Sequence, residues 1–249
     1  MSMDLLLTGF VASLLAGLAT GVGALPTLFV KRISNSTSDV LLGFAAGVML
    51  AATVFSLLIP AVELGGPLIP VMSFGIGALA VHFIDRFVPH FHPVAGTEGP
   101  PSRLPYVWLM IAAMTIHNFP EGLAVGTSFG TADVTLGFIT STAIGIQNMP
   151  EGLAVALPLL REGYSTYRAI TYATLTGLVE PLGGLVGSSL VSISHSLLPW
   201  GLAFAAGAML FVVIDEMVPE SHAKGFGREA TFGLLLGFIV MMLLDSMFE

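Results

Sequence analysis

The chain has 249 residues, of which 55% are hydrophobic and 10% charged, and its mean hydropathy is +0.91. This composition excludes an ordinary soluble domain and is typical of an integral membrane protein. The formal net charge of -8 does not indicate an acidic surface, because several acidic residues lie within apolar segments. The chain contains no cysteine, which excludes thiolate metal ligands and disulfides.

Eight segments are long and apolar enough to cross about 30 Å of hydrocarbon as helices. The sequence therefore predicts an all-α integral membrane protein with a single transmembrane domain over residues 1–249. A basic secretory signal is not expected at the start, where Asp4 is the only charge, so the first span is interpreted as a mature helix. The predicted spans are 5–30, 39–62, 67–88, 105–130, 134–160, 169–191, 198–219 and 229–248.

The basic residues all lie in alternate connections between the predicted spans. By the positive-inside rule, the odd-numbered connections are cytoplasmic and both termini lie outside the cytoplasm. Adding or removing one helix would scatter these charges onto both sides, so their distribution also supports the count of eight. The residues are Lys31, Arg32, Arg86, Arg103, Arg161, Arg168, Lys224 and Arg228.

The longest connection is the predicted cytoplasmic loop 89–104. It contains four prolines together with His90 and His92. Because a connection of this length without regular structure is commonly mobile, we expect a flexible loop. Its histidines could bind a metal ion or serve no ligand at all, and the sequence leaves both interpretations open.

One motif occurs twice, on the fourth and fifth predicted spans. Residues 116–126 read IHNFPEGLAVG, and residues 146–156 read IQNMPEGLAVA. Consecutive spans run antiparallel, so the same groups are presented from opposite sides of the membrane, which defines an inverted repeat. The proline in each copy is expected to kink its helix and free backbone carbonyl oxygens.

Further internal similarity extends this repeat to the other spans. Segments 42–50 and 202–210 are similar, and a weaker similarity joins 8–11 to 176–179. Close helix packing through small residues also explains part of the first similarity. The pattern predicts eight transmembrane helices in a 3+2+3 arrangement with inverted repeats, which is an architecture of secondary transporters.

The repeated motif places a carboxylate and a second polar side chain on one face of each helix. His117 lies four residues before Glu121, and Gln147 lies four residues before Glu151, so each pair shares a face. Counting 1.5 Å per residue from the nearest arginine places these side chains and Glu180 near the middle of the bilayer. Hydrogen bonding between helices explains a lone buried glutamate, but not this duplicated set.

The charge of this set indicates a bound cation. Carboxylates in a poor solvent repel one another unless they are neutralised, and these spans contain no lysine or arginine. A mixture of imidazole, carboxylate and amide suits Zn²⁺ and its neighbours more than Ca²⁺. Met49 could add a thioether, which favours softer ions such as Cd²⁺, or be an ordinary core methionine. Asp215 and Glu216 form a second acidic pair, either a further ion station or hydrogen-bonded groups that join helices.

These residues resemble the ZIP family of metal transporters, and most closely its bacterial branch. The resemblance covers the whole chain and rests on HNFPEG at 117–122, QNMPEG at 147–152 and VEP at 179–181. It implies a binuclear metal centre in the middle of the membrane. The implied ligands are Met49, His117, Asn118, Glu121, Gln147, Asn148, Glu151 and Glu180.

The resemblance also implies a function and a mechanism. Zn²⁺ would be imported into the cytoplasm as the transported substrate, with Cd²⁺, Fe²⁺ or Mn²⁺ as competitors, and no prosthetic group or nucleic acid is expected. Spans one, four, five and six would slide like an elevator against spans two, three, seven and eight, in a homodimer in the bacterial inner membrane. Glycines such as Gly183, Gly184 and Gly187 suit either a sliding face or static packing.

Two other classes of protein remain as alternatives. A zinc-dependent intramembrane hydrolase would use His117 and Glu121 to hold the metal. The chain lacks an HExxH motif, and the carboxylates of the set outnumber its histidines. A cation-selective channel would use the paired asparagine and proline segments to form a pore. We therefore predict a transporter and not an enzyme.

Overall fold

The computed structural model describes residues 2–92, 96–130 and 134–248, which are mostly helical. Six stretches of the described residues are long and apolar enough to cross a membrane, which confirms the all-α class. They are Asp4–Leu28, Asn35–Gly65, Leu68–Phe87, Thr166–Ile193, His195–Ser221 and Gly227–Met247. The two helices that carry the repeated motif are not among these six, because their polar residues lower their mean hydropathy. The count of eight spans stays a prediction.

The helices follow the predicted spans, with interruptions inside three of them. The second span contains a π-helical segment, Thr53–Leu58, the seventh contains another, Val213–Met217, and the sixth is broken at Leu178 and Val179. Short 3₁₀ segments, Leu25–Leu28 and His195–Leu197, follow α1 and precede α9. The helices are α1 Ser2–Ala24, α2 Asn35–Ala52, α3 Ile59–Gly65, α4 Leu68–Phe87, α5 Tyr106–Ser128, α6 Val134–Arg161, α7 Thr166–Gly177, α8 Glu180–Ile193, α9 Leu198–Val212, α10 Val218–Ser221 and α11 Gly227–Phe248.

The connection 89–104 contains a β-hairpin, where the sequence predicted a flexible loop. Strand β1, His90–His92, pairs antiparallel with β2, Gly96–Glu98, and residues 93–95 lie outside the described residues. The His90 ring is buried, with Nδ1 2.7 Å from the carbonyl oxygen of Val88. The Phe91 ring packs edge-on against Tyr106, with centroids 4.3 Å apart, and thereby attaches the hairpin to the start of α5.

Glycine contacts join α1, α5, α6, α7 and α8 into one set of helices, here called the first helix group. At the crossing of α1 and α7, a Cβ on Gly17 or on Gly177 would lie 2.1 Å from the carbonyl oxygen of the other glycine. A Cβ on Gly122 would lie 2.0 Å from the Glu180 carbonyl oxygen, where α5 meets α8. Real Cβ atoms cannot approach a carbonyl so closely, so only glycine permits these crossings.

Contacts of the same kind join α4 with α9 and α2 with α11, and these two pairs are here together called the second helix group. A Cβ on Gly77 of α4 would lie 2.0 Å from the Phe204 carbonyl oxygen of α9. A Cβ on Gly237 of α11 would lie 2.1 Å from the Phe44 carbonyl oxygen of α2. Within the described residues, one glycine alone, Gly201, makes such an approach across the two groups, and it meets a side chain.

Gly183, Gly184 and Gly187, for which the sequence allowed either a sliding face or static packing, contact other helices of the first helix group. A Cβ on Gly183 would lie 2.4 Å from the Phe119 carbonyl oxygen, and one on Gly187 would lie 2.5 Å from the Leu123 carbonyl oxygen, both on α5. A Cβ on Gly184 would lie 2.1 Å from the Ser13 hydroxyl of α1. Static packing is therefore the role of all three.

The connections that carry the basic residues lie together at one end of the bundle. The Lys31 ammonium donates to the Thr27 carbonyl oxygen at 2.8 Å and to the Thr166 hydroxyl at the start of α7. The Lys224 ammonium donates to the Ser38 hydroxyl at 2.8 Å and lies 3.6 Å from the buried Asp39 carboxylate on α2. This grouping is the one that the positive-inside rule requires.

A glycine at a crossing of the first helix group is expected to resist replacement far more than one beside open space. A Cβ on Gly152 would lie 1.9 Å from the Thr20 carbonyl oxygen, whereas one on Gly145 of the same helix would have its nearest neighbours at 3.9 Å. We expect Gly152→Ala to destabilise the protein by about 3 kcal/mol, because α1 must move away. Gly145→Ala should leave stability within about 0.5 kcal/mol of the original. Thermal unfolding in detergent measures both, and equal melting temperatures would contradict this packing.

Candidate metal centre

Side chains of the two motif copies meet where α5 and α6 pack with α1 and α8. The Gln147 amide donates to Glu121 Oε1 at 2.9 Å, which joins α6 to α5. The Asn148 amide donates to Glu180 Oε1 at 2.6 Å and to the Ala16 carbonyl oxygen at 2.8 Å. All four of these side chains are fully buried. The structure thus places one polar centre between four helices.

Many buried oxygens of this centre accept no hydrogen bond from the described residues. Buried acceptors in proteins nearly always have a partner, so a cluster of orphaned oxygens calls for a ligand that supplies positive charge. The carboxylates of Glu121, Glu151 and Glu180 are also close enough to interact electrostatically. The orphaned atoms are Oε2 of Glu121, Oε1 of Gln147, Oδ1 of Asn148, both carboxylate oxygens of Glu151, Oε2 of Glu180 and both amide atoms of Asn118.

The polar side chains of the centre do not converge on one point in this structure. Among residues 2–92, 96–130 and 134–248, no three histidine, aspartate or glutamate side chains are grouped so as to hold a metal ion. His117, on α5, instead contacts Glu216 of the π-helical segment that follows α9, with Nε2 2.5 Å from Oε2. The Glu121 carboxylate meanwhile accepts from Gln147. The predicted ligands are therefore close to one another but partly engaged with other groups.

Asp215 and Glu216, which the sequence analysis described as an acidic pair, have different environments. Asp215 and Glu216 are neighbours in a π-helical segment, and only Glu216 is buried, while Asp215 is exposed. Adjacent residues of a helix point in different directions, so the two acids do not form a buried pair. Of the two interpretations, the contact with His117 makes Glu216 alone a neighbour of the centre.

Met49 lies in the hydrophobic core where the two helix groups meet. It is 1% exposed and belongs to a cluster with Ala45, Leu123 and Ile144. Its carbonyl oxygen accepts from the Thr53 hydroxyl at 2.8 Å, at the start of the π-helical segment. The structure thus gives Met49 an apolar environment.

The prolines of the motif lie within continuous helices. Helix α5 continues through Pro120 and α6 continues through Pro150, so neither helix is interrupted at the motif. The break that sequence analysis did not predict lies at residues 178–179, directly before Glu180. It leaves Glu180 as the first residue of α8, where backbone N–H groups favour a negative charge.

Sequence analysis also missed the contribution of α1 to the centre. The Ala16 carbonyl oxygen accepts from Asn148, and Thr20, one turn further, is fully buried. A helix of small apolar residues gives no local signal of such a role. Only the contact with α6 reveals it.

A cavity of about 190 Å³ lies at the basic end of the bundle. It is lined by Arg161, Glu220 and Lys224 and also by Pro150, the neighbour of Glu151. At the opposite end, α5 and α9 touch through Thr127 and Gly201. The cavity thus lies on the side of the centre where the basic residues are found.

The apolar helices and the buried polar centre define a multi-pass membrane protein. The family model described as ZIP Zinc transporter matches residues 95–245. Zinc transporter GufA of Myxococcus xanthus is 47% identical over 247 residues, which cover 95% of this chain and 97% of that protein. Zinc transporter ZIPB of Bordetella bronchiseptica is 43% identical over 92% of this chain and 77% of that protein. Zinc transporter ZIP11 of Homo sapiens is 37% identical over 91% of this chain and 93% of that protein. The chain therefore belongs to the ZIP family, which confirms the resemblance.

Proposed function

We propose that the protein imports divalent transition-metal ions, Zn²⁺ foremost, into the cytoplasm through the buried centre between α5 and α6. The observation that carries this proposal is the cluster of buried oxygens without donors, which a divalent cation would satisfy. The relatives whose names state zinc transport support the same ion. Cd²⁺, Fe²⁺ and Mn²⁺ would compete for a site of this chemistry.

The ion would be held by the residues of the two motifs together with Glu180. For a metal to bind His117, the ring must exchange Glu216 for the ion. Glu216 would then receive the ion next, on the side of the basic end. Met49 would contribute only through its sulfur, at the apolar side of the site.

Pseudo-symmetry of the contacts supports eight helices with inverted repeats. A shift of 160 residues relates Gly77 to Gly237 and Phe44 to Phe204. The contact of Gly77 with Phe204 therefore corresponds to the contact of Gly237 with Phe44. Gly47 with Leu234 and Gly207 with Phe74 match by the same shift, and so do the starts of the π-helical segments at residues 53 and 213. A half of the fold would thus repeat with opposite orientation in the membrane.

The two helix groups support an elevator-like motion. Within each group, glycines let backbones touch, and such contacts cannot slip without separating the helices. Across the groups, the approach of Gly201 is to the methyl group of Thr127, at 2.7 Å from its ideal Cβ position. We therefore propose that the first helix group moves as one body against the second.

The placement in the membrane follows from the basic end. With that end in the cytoplasm of a bacterial inner membrane, both termini lie outside, and the cavity between Arg161 and Lys224 opens inward. The structure would then represent the inward-facing state. Exposed apolar side chains such as Leu68, Leu79 and Leu236 on α4 and α11 suit lipid and the second copy of a homodimer.

Metal uptake into proteoliposomes loaded with a zinc-sensitive dye tests this function. We expect saturable Zn²⁺ influx that Cd²⁺ inhibits and that equal Ca²⁺ leaves unchanged, because the site contains an imidazole and amides. Rates that grow linearly with Zn²⁺ concentration would instead indicate a channel. Absence of flux, with zinc retained through dialysis, would favour the intramembrane hydrolase.

A further inference from the structure

Thr20 of α1 has an unusual hydroxyl group for a buried helical threonine. Several threonines in these helices donate to the carbonyl oxygen four residues before them, as Thr174 does to Ile170 and Thr140 to Leu136, each at 2.8 Å, whereas the buried Thr127 hydroxyl of α5 has no described partner. The Thr20 hydroxyl is fully buried and makes no hydrogen bond to a described residue. Its own carbonyl partner, Ala16, accepts from Asn148 instead. The hydroxyl is thus left free for another partner.

The position of Thr20 corresponds to that of Glu180 under the shift of 160 residues. Gly152 approaches the Thr20 carbonyl oxygen as Gly122 approaches that of Glu180, at 1.9 and 2.0 Å from an ideal Cβ. The side chains correspond too. A Cβ on Gly177 would lie 2.7 Å from Thr20 Oγ1, and one on Gly17 would lie 3.3 Å from Glu180 Oε1.

This correspondence indicates which side chain pairs with Thr20. Glu180 reaches Asn148 of the second motif copy, at 2.6 Å. The equivalent of Asn148 in the first copy is Asn118, so the correspondence pairs Thr20 with Asn118. Both amide atoms of Asn118 are buried and have no hydrogen-bond partner among the described residues. Two buried polar side chains on this side of the centre, those of Thr20 and Asn118, therefore have no partner among the described residues.

We propose that Thr20 is a further residue of the ion site, the neutral counterpart of Glu180, which binds with Asn118 a metal ion or its hydrating water. This inference rests on the proposed function. Thr20 has no charge, so its half of the centre holds the ion more weakly than the half with Glu180. The Thr20 hydroxyl gives the ion an oxygen ligand from α1 without adding a fourth carboxylate to those of Glu121, Glu151 and Glu180.

The test compares Thr20→Val with Thr20→Ser and with Thr174→Val. Valine keeps the shape of threonine and removes the hydroxyl, whereas serine keeps the hydroxyl. Thr174→Val is the matched control, because it removes from the facing helix a hydroxyl that is satisfied within its own helix. We expect Thr20→Val to raise the KM for Zn²⁺ uptake, and the Kd for Zn²⁺ in detergent, about fivefold to tenfold with Vmax little changed. Thr20→Ser and Thr174→Val should stay within about twofold.

The outcomes separate this proposal from a structural role and from the proposed function. A lower Vmax with unchanged KM and Kd would show that Thr20 only supports packing, and would overturn the inference. Unchanged values in Thr20→Val would overturn it too. If the wild type binds Zn²⁺ in detergent but does not transport it, the function fails, while the Kd of Thr20→Val still decides the role of Thr20. If the wild type binds no Zn²⁺, both fail.

Discussion

Glu151→Gln is expected to abolish Zn²⁺ uptake while the protein stays folded. Both carboxylate oxygens of Glu151 are buried without a donor, and the residue is 1% exposed. Glutamine has nearly the same shape but no charge, so it cannot neutralise an ion that has left water. We expect uptake to fall more than about 100-fold, beyond the loss that follows removal of a supporting group around a metal. Glu121→Gln should act alike, because Glu121 has one oxygen without a donor.

Glu63→Gln is the control for this substitution. Glu63 is exposed on α3, so its replacement removes the same charge far from the centre. Its uptake should match the wild type. Size-exclusion profiles and melting temperatures establish that each variant is folded. Uptake by Glu151→Gln at more than a tenth of the wild-type rate would contradict a role for this carboxylate in transport.

Cross-linking the two helix groups is expected to stop transport reversibly. The ideal Cβ of Gly201 lies 3.7 Å from the Cβ of Thr127, a separation that suits a disulfide. The chain has no native cysteine, so Thr127→Cys with Gly201→Cys forms a single defined pair. If the first helix group must move against the second, the oxidised protein stays in the present state, and its uptake falls to background. A reducing agent should restore uptake.

A second cysteine pair controls for the chemistry of the cross-link. The ideal Cβ of Gly145 lies 3.9 Å from the Cβ of Ala19, and both residues belong to the first helix group. Ala19→Cys with Gly145→Cys should therefore form a disulfide and leave transport close to normal. Full uptake by the oxidised 127–201 pair, with cross-linking verified by mass spectrometry, would rule out motion between the groups.

Local sequence signals predicted the all-α membrane class and the family. Apolar length located the helices, and the repeated motif located the polar residues that Gln147 and Asn148 join by hydrogen bonds. The family followed from the same motif. These features depend on residues near one another in the chain or on consecutive helices.

Features that depend on distant contacts were not predictable in this way. The contact of His117 with Glu216 joins residues far apart in the sequence, and the exposure of Asp215 beside the buried Glu216 depends on how the seventh span is packed. The weak similarity of 8–11 to 176–179 implied a shift of 168 residues, whereas the reciprocal contact of Gly17 with Gly177 agrees with the proposed shift of 160. Short similar segments do not define register, but a backbone contact does.

The matched glycine contacts have an energetic consequence. If two halves of a fold repeat with opposite orientation, the inward and outward arrangements contain nearly the same backbone packing, and their packing energies nearly cancel. The preference between them then depends on the few positions where the halves differ, such as Glu180 against Thr20 and Glu216 against Ser56, which donates to Asp245 at 3.2 Å. A free-energy difference of about 1.4 kcal/mol changes the ratio of the two populations tenfold. Single polar substitutions at these asymmetric positions should therefore act as a thermodynamic bias on the resting conformation, even where they leave the affinity for the ion unchanged.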